Sequence, residues 1–188
     1  GQTLLITGGA GGVGSILIQL ARQLTQLRVV ATASRAETRA WCLELGAHLV
    51  IDHSKPLAAE LKAAGIAEVD MVASLTQTEQ HYAQIIESLK PQGQLAVIDD
   101  MKTLDAMPLK TKSLSLHWEM MFARSRFETP DIAEQGALLA EVAALVDAGR
   151  VRTTANASFG TINAANLRRA HALIESGKAQ GKVVLAGF

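Results

Sequence analysis

Thr7-Gly8-Gly9-Ala10-Gly11-Gly12-Val13-Gly14 is the stretch on which the reading of this sequence turns. Gly9, Gly11 and Gly14 fit the spacing G-x-G-x-x-G. The run stands between a short apolar strand, Leu4-Leu5-Ile6, and a stripe at helical period formed by Val13, Ile16, Leu17, Leu20, Ala21 and Leu24. In that setting each glycine has a task. The tight turn out of the strand needs a residue without a Cβ, the second glycine lets backbone approach a pyrophosphate, and the third lets helix and strand pack closely. The amides at the helix start then offer partial positive charge to the phosphates. The candidate cofactor-binding residues here are Gly9, Gly11, Gly12, Val13 and Gly14. A glycine-rich turn without a ligand is the alternative if the run is taken alone.

Downstream, the strand–helix alternation repeats. Arg28 to Ala33 reads as a second strand and Ala36 to Leu45 as a helix stopped by Gly46. Leu49 to Ile51 is a third strand, and Pro56 opens a helix to Ala64 that Gly65 closes. Val69 to Ala73 is a fourth strand, Thr78 to Leu89 a helix, and Pro91-Gln92-Gly93 a turn into a fifth strand, Gln94 to Ile98. Strands apolar on both faces, alternating with helices, imply a parallel sheet covered on both sides. The expected fold is α/β, a doubly wound Rossmann-type sheet of about six strands forming one dinucleotide-binding domain over residues 1–188. After Asp100 the rhythm changes. Met101 to Lys112 reads as a loop, Leu114 to Phe122 as a sixth strand and Thr129 to Ala148 as a long helix. Arg150 to Phe159 is extended, Asn163 to Ser176 is a last helix, and Lys182 to Leu185 is a terminal strand.

Composition narrows the classes. Lys plus Arg and Asp plus Glu are 18 each, so no basic excess invites nucleic acid or an anionic membrane. Hydrophobic residues make up 48% of the chain, enough for a core, and no apolar run approaches the ~18 residues of a membrane span. The single cysteine, Cys42, excludes an internal disulfide framework and a cysteine-built zinc knuckle. The start has no basic n-region, so a cytoplasmic location is expected.

The end of the second strand bears on the choice of cofactor. A site for NAD wants Asp or Glu there, on the ribose 2′-hydroxyl. Ala33 stands 19 residues after Gly14, followed by Ser34 and Arg35, with Arg39 a helical turn further on. A hydroxyl and a guanidinium suit a 2′-phosphate, so NADPH is expected over NADH. Arg35 as a solvated charge at a helix start is the alternative.

The glycines also satisfy T-G-x-x-x-G-x-G, the loop of short-chain dehydrogenases. That chemistry needs Tyr-x-x-x-Lys, and the only tyrosine, Tyr82, is followed four residues on by Ile86. The sequence instead resembles the medium-chain dehydrogenases/reductases, in their quinone oxidoreductase and zinc-type alcohol dehydrogenase-like branch. The resemblance rests on Gly8 to Gly14, Ala31-Thr32-Ala33-Ser34, Leu45-Gly46-Ala47-His48-Leu49-Val50-Ile51-Asp52, Lys90-Pro91-Gln92-Gly93 and Gly181-Lys182-Val183-Val184-Leu185. The stretch from Pro108 to Glu119 adds to it. It implies hydride transfer between nicotinamide and a small-molecule quinone, enone or carbonyl/alcohol substrate. It also implies a GroES-like catalytic domain ahead of these residues, so no catalytic residue is assigned within this chain. A non-catalytic nucleotide-sensing module is the rival reading.

The five histidines have no i,i+4 pairing and no nearby cysteines, so no metal site is expected. Asp99 and Asp100 end the fifth strand as an acid/base pair or as a solvated strand end. Lys182 is a candidate for a cofactor phosphate. The sixth strand, Ser113 to Phe122, lacks proline and lysine and carries Leu114, Leu116, Trp118 and Met120 on one face. As an unprotected edge it is expected to form a homodimer with its own copy, the alternative being that the long helix from Thr129 or the terminal segment covers it within one chain.

Overall fold

The computed structural model describes all 188 residues, Gly1–Phe188. Six parallel strands form one sheet: β1 (Thr3–Thr7), β2 (Arg28–Thr32), β3 (Leu49–Ile51), β4 (Val69–Ser74), β5 (Leu89–Val97) and β6 (Ser115–Trp118). Their order is β3-β2-β1-β4-β5-β6, the doubly wound arrangement expected from the alternation. The chain winds outward from β1 in one direction to β3, then crosses back to β4 beside β1. The crevice at that reversal lies beyond the carboxyl ends of β1 and β4, where the glycine run leaves the sheet.

β1 is buried along its whole length, because a central strand of a covered sheet has no solvent face. Its side chains alternate between two cores. Leu4 and Ile6 join Ile18, Val29, Ala31 and Cys42 under α1 (Gly12–Leu24) and α2 (Ala36–Glu44). Leu5 faces the other way, with Leu57 and Leu61 of α3 (Leu57–Ala63) and Ile85 and Ile86 of α4 (Thr78–Ser88).

Three of the remaining segments depart from expectation, whereas the long helix, the last helix and the terminal strand form where the sequence places them. Pro91-Gln92-Gly93 is not a turn ahead of a strand but a bulge inside β5. Val69 pairs with Leu89 and Met71 next with Gln94, and Gln92 takes a positive φ of 63° to absorb the surplus residues. The expected loop Met101 to Lys112 contains a short helix, α5 (Met107–Lys110), whose Leu109 plugs into the core. The sixth strand is shorter than its alternation suggests. Pairing runs only from Gln94↔Ser115 to Val97↔Trp118, and where β5 ends the chain turns into α6 (Ala123–Arg126). Leu114 and Leu116 pack on the core, whereas Trp118 and Met120 are exposed, so the apolar face does not continue past Leu116. The long helix α7 (Ala133–Asp147) starts after Thr129 and Asp131, which are tied together in a turn that also holds Arg124. A last helix, α8 (Ala164–Glu175), is capped by the Asn163 side chain accepting from the Asn166 amide. The terminal strand β8 (Lys182–Val184) stays outside the main sheet and pairs in parallel with β7 (Ala155–Ser158). No helix is long and apolar enough to cross a membrane.

Candidate functional site: a nucleotide-sized cleft over the glycine loop

Each glycine of the loop has its own constraint. Gly8, not Gly9, makes the tight turn, with φ of +68°. Gly9 is a packing residue: a Cβ there would lie 2.8 Å from the Ala31 Cβ and 3.2 Å from the Cys42 sulfur. Gly14 is packed against the loop itself, its Cβ position only 2.6 Å from the Gly9 carbonyl oxygen. Gly11 is nearly free, the Gly8 oxygen at 3.4 Å being its one close neighbour, so its open face is available to a ligand. The loop is closed by the Gly11 amide donating to the Gly8 carbonyl at 3.1 Å.

The start of α1 is electrically bare. No side chain caps it and no acidic residue stands in its first turn. The amides of Gly12, Val13 and Gly14 make no hydrogen bond within the chain. Against this positive pole the fold sets a second positive charge. The Lys182 side chain lies over Gly12 so closely that a Cβ on that glycine would meet Cε at 2.6 Å and Nζ at 2.7 Å. An ammonium beside a helix N-terminus is repelled by it, and an anion between the two relieves both. The sequence marks Lys182 as a candidate for a cofactor phosphate, and the docking of the terminal segment sets it over the glycine loop.

A cleft of about 700 Å³ runs from this loop to the end of β2, a volume in the usual range for small-molecule sites. Gly11, Gly12, Val13, Gly14, Ser34, Arg35 and Lys182 line it, whereas Gly9 lies beneath the surface. Arg39, a helical turn beyond Arg35, is engaged elsewhere: its guanidinium donates to the carbonyls of Ala33 at 3.3 Å and Val50 at 2.8 Å and is outside the lining. Arg35 reaches across the cleft mouth. Its Nε donates to Glu37 Oε1 at 2.6 Å, and its terminal nitrogens donate to the carbonyls of Gly177 at 3.4 Å and Lys178 at 3.2 Å.

Sequence reasoning missed the far wall and one inner corner. Leu167, Ala170, His171 and Ile174 of α8 form the outer wall, a placement no local pattern announces. His53 and His81 occupy the corner, their rings edge to face with centroids 6.3 Å apart. Burial, then the neighbouring His81, holds the His53 imidazole below its ordinary pKa. The His81 Nδ1 is buried without a partner. His53 follows the carboxyl end of β3, and that strand-end position was the available signal.

Two further side chains, Asp99 and Cys42, have structural roles. Asp99 accepts from the Thr78 amide at 2.9 Å and from the Thr78 hydroxyl, so it caps α4 and is not a free acid/base group. Cys42 is fully buried and its thiol is pushed up to about 12 by that burial, which leaves it inert. No group of three or more His, Cys, Asp or Glu side chains converges closely enough to hold a metal ion.

Comparison with known proteins adds to this geometry. A family model described as zinc-binding dehydrogenase matches residues 45–185. A zinc-type alcohol dehydrogenase-like protein of Staphylococcus aureus is 36% identical over 186 residues, which is 98% of this chain and 55% of that protein. Among solved structures, a Rhizobium etli protein assigned as a zinc-dependent alcohol dehydrogenase is 56% identical with a TM-score of 0.94, over 99% of this chain and 54% of the other. Mycobacterial Rv1454c, solved in complex with NADPH, is 28% identical with a TM-score of 0.81, over 98% of this chain and 56% of that one. The chain thus spans a little over half the length of the relatives it matches.

Proposed function

We propose, from the premise that this chain belongs to the zinc-binding dehydrogenase family, that it is the NADPH-binding part of a zinc-type alcohol dehydrogenase-like enzyme or quinone oxidoreductase. The observation carrying this reading is the Lys182 ammonium beside the uncapped start of α1, a paired positive site over a glycine cradle that a Cβ would fill. The amides of Gly12, Val13 and Gly14, with Lys182, bind the pyrophosphate. Ser34 and Arg35 bind the 2′-phosphate, and the α8 wall keeps water from the adenosine. The NADPH complex of Rv1454c supports the choice of cofactor. NADPH when bound supplies the hydride, and this chain's residues hold and orient it.

The substrate class is proposed as a quinone, enone or carbonyl/alcohol. The groups that polarise it belong to a GroES-like domain outside these 188 residues. The family name carries zinc, but the residues present do not fit a zinc site, so no step is derived through the metal. Replacing Arg35 with Ala is expected to weaken NADPH by ~1.5–3 kcal/mol, about ten- to hundredfold, the range for charge-assisted hydrogen bonds, and to leave NADH unchanged. Titration calorimetry measures both; equal losses for the two cofactors sink the assignment of Arg35. The unmodified chain by itself is expected to bind the cofactor yet consume no NADPH with simple quinones, and consumption above a heat-killed control overturns that.

A homodimer through β6 belongs to the same proposal. β6 is an edge strand, and Trp118, Met120, Met121 and Phe122 at its end are 54–69% exposed. Sedimentation is expected to give a dimer at tens of micromolar, roughly ten times a micromolar dissociation constant. A monomer at that concentration refutes it.

A further inference from the structure

The guanidinium assigned to the 2′-phosphate is already engaged on two sides. Glu37, in the first turn of α2, takes its Nε–H at 2.6 Å. The carbonyls of Gly177 and Lys178, just past the end of α8, take the terminal nitrogens. The carbonyls stand at the negative pole of α8 and suit a cation. Glu37 differs: Arg35 is the side chain it pairs with, and it is well exposed. A phosphate binds a guanidinium best through two parallel N–H bonds. To take the Nε edge it must displace the Glu37 carboxylate, and it then sits as a dianion beside a like charge.

We infer that Glu37 is a specificity-determining residue that competes with the 2′-phosphate for Arg35 and so holds the preference for NADPH below what Arg35 alone provides. This rests on the reading of the cleft as an NADPH site. For NADH no such competition arises, because a ribose hydroxyl does not require the guanidinium. Glu37 therefore acts on the difference between the two cofactors, and its effect runs through Arg35.

The test is calorimetric titration of NADPH and NADH into the unmodified chain, Glu37→Gln, Arg35→Ala and the double variant, in about 50 mM and about 0.5 M salt. Glu37→Gln is expected to tighten NADPH about tenfold at low salt, as removal of a like charge at a partly exposed site should, and to leave NADH within about twofold. The gain is expected to shrink at high salt and to fall below about threefold in the Arg35→Ala background, where no guanidinium remains to be freed. Equal shifts for both cofactors, weaker NADPH binding, or the same gain without Arg35 overturns the inference. The arms separate the two levels of the argument. If Arg35→Ala leaves NADPH binding intact, the reading of this end of the cleft fails. If that variant loses NADPH but Glu37→Gln gains nothing, only the role of Glu37 fails.

Discussion

Replacing Gly14 with Ala is expected to lower stability by ~2–4 kcal/mol and to weaken NADPH more than about a hundredfold. The added methyl meets main chain, not a side chain that can swing aside. It would lie 2.6 Å from the Gly9 carbonyl oxygen and 2.7 Å from the Gly9 carbonyl carbon, and nearer still to the Gly8 oxygen. Relief requires the turn to open, which breaks the hydrogen bond from the Gly11 amide to the Gly8 carbonyl and shifts the start of α1 with its unpaired amides. The loss of binding therefore exceeds the loss of any one contact. Gly136→Ala is the control. Nothing lies within 4 Å of a Cβ at that α7 position, so it is expected to stabilise by ~0.5–1 kcal/mol through helix propensity. Thermal unfolding and titration of both variants check the pair, and a Gly14→Ala protein with unaltered melting and affinity contradicts the account.

The second large effect is expected at Gly181. Its φ is +57°, and a Cβ there would strike the Thr154 carbonyl and stand 3.2 Å from the Trp41 ring. The residue is also a stitch. Its amide donates to the Ala10 carbonyl at 2.9 Å, and the next amide, of Lys182, donates to Thr154 at 2.7 Å. Gly181→Val is expected to lift the terminal segment from the glycine loop, with ~2–3 kcal/mol lost from stability as backbone strain and broken bonds. NADPH affinity should fall about thirty- to hundredfold as the Lys182 charge leaves the start of α1, where we propose the pyrophosphate binds. Lys182→Met separates the two causes, because it removes the charge and keeps the backbone. It should lose most of the affinity and little of the stability. If Lys182→Met binds NADPH as tightly as the unmodified chain, the role given to the ammonium is wrong.

The architecture was legible because its signals are local. A strand apolar on both faces, a stripe at helical period and glycines at fixed offsets all act within a few residues, through hydrogen bonds and hydrophobic period. They determined the doubly wound sheet, the position of the loop and the absence of an acid at the end of β2. The tertiary structure decided the rest. β6 is four residues long because β5 ends opposite Trp118, a limit set by the partner strand. Gly8 makes the tight turn that sequence spacing gave to Gly9, and Gly9 is instead pressed against Ala31 and Cys42 from other elements. Arg35 finds its carbonyl partners 142 and 143 residues away, and the cation over Gly12 comes from the far end of the chain. Such meetings depend on how the last helix and strand dock against the finished sheet, and no pattern within a window of sequence encodes them.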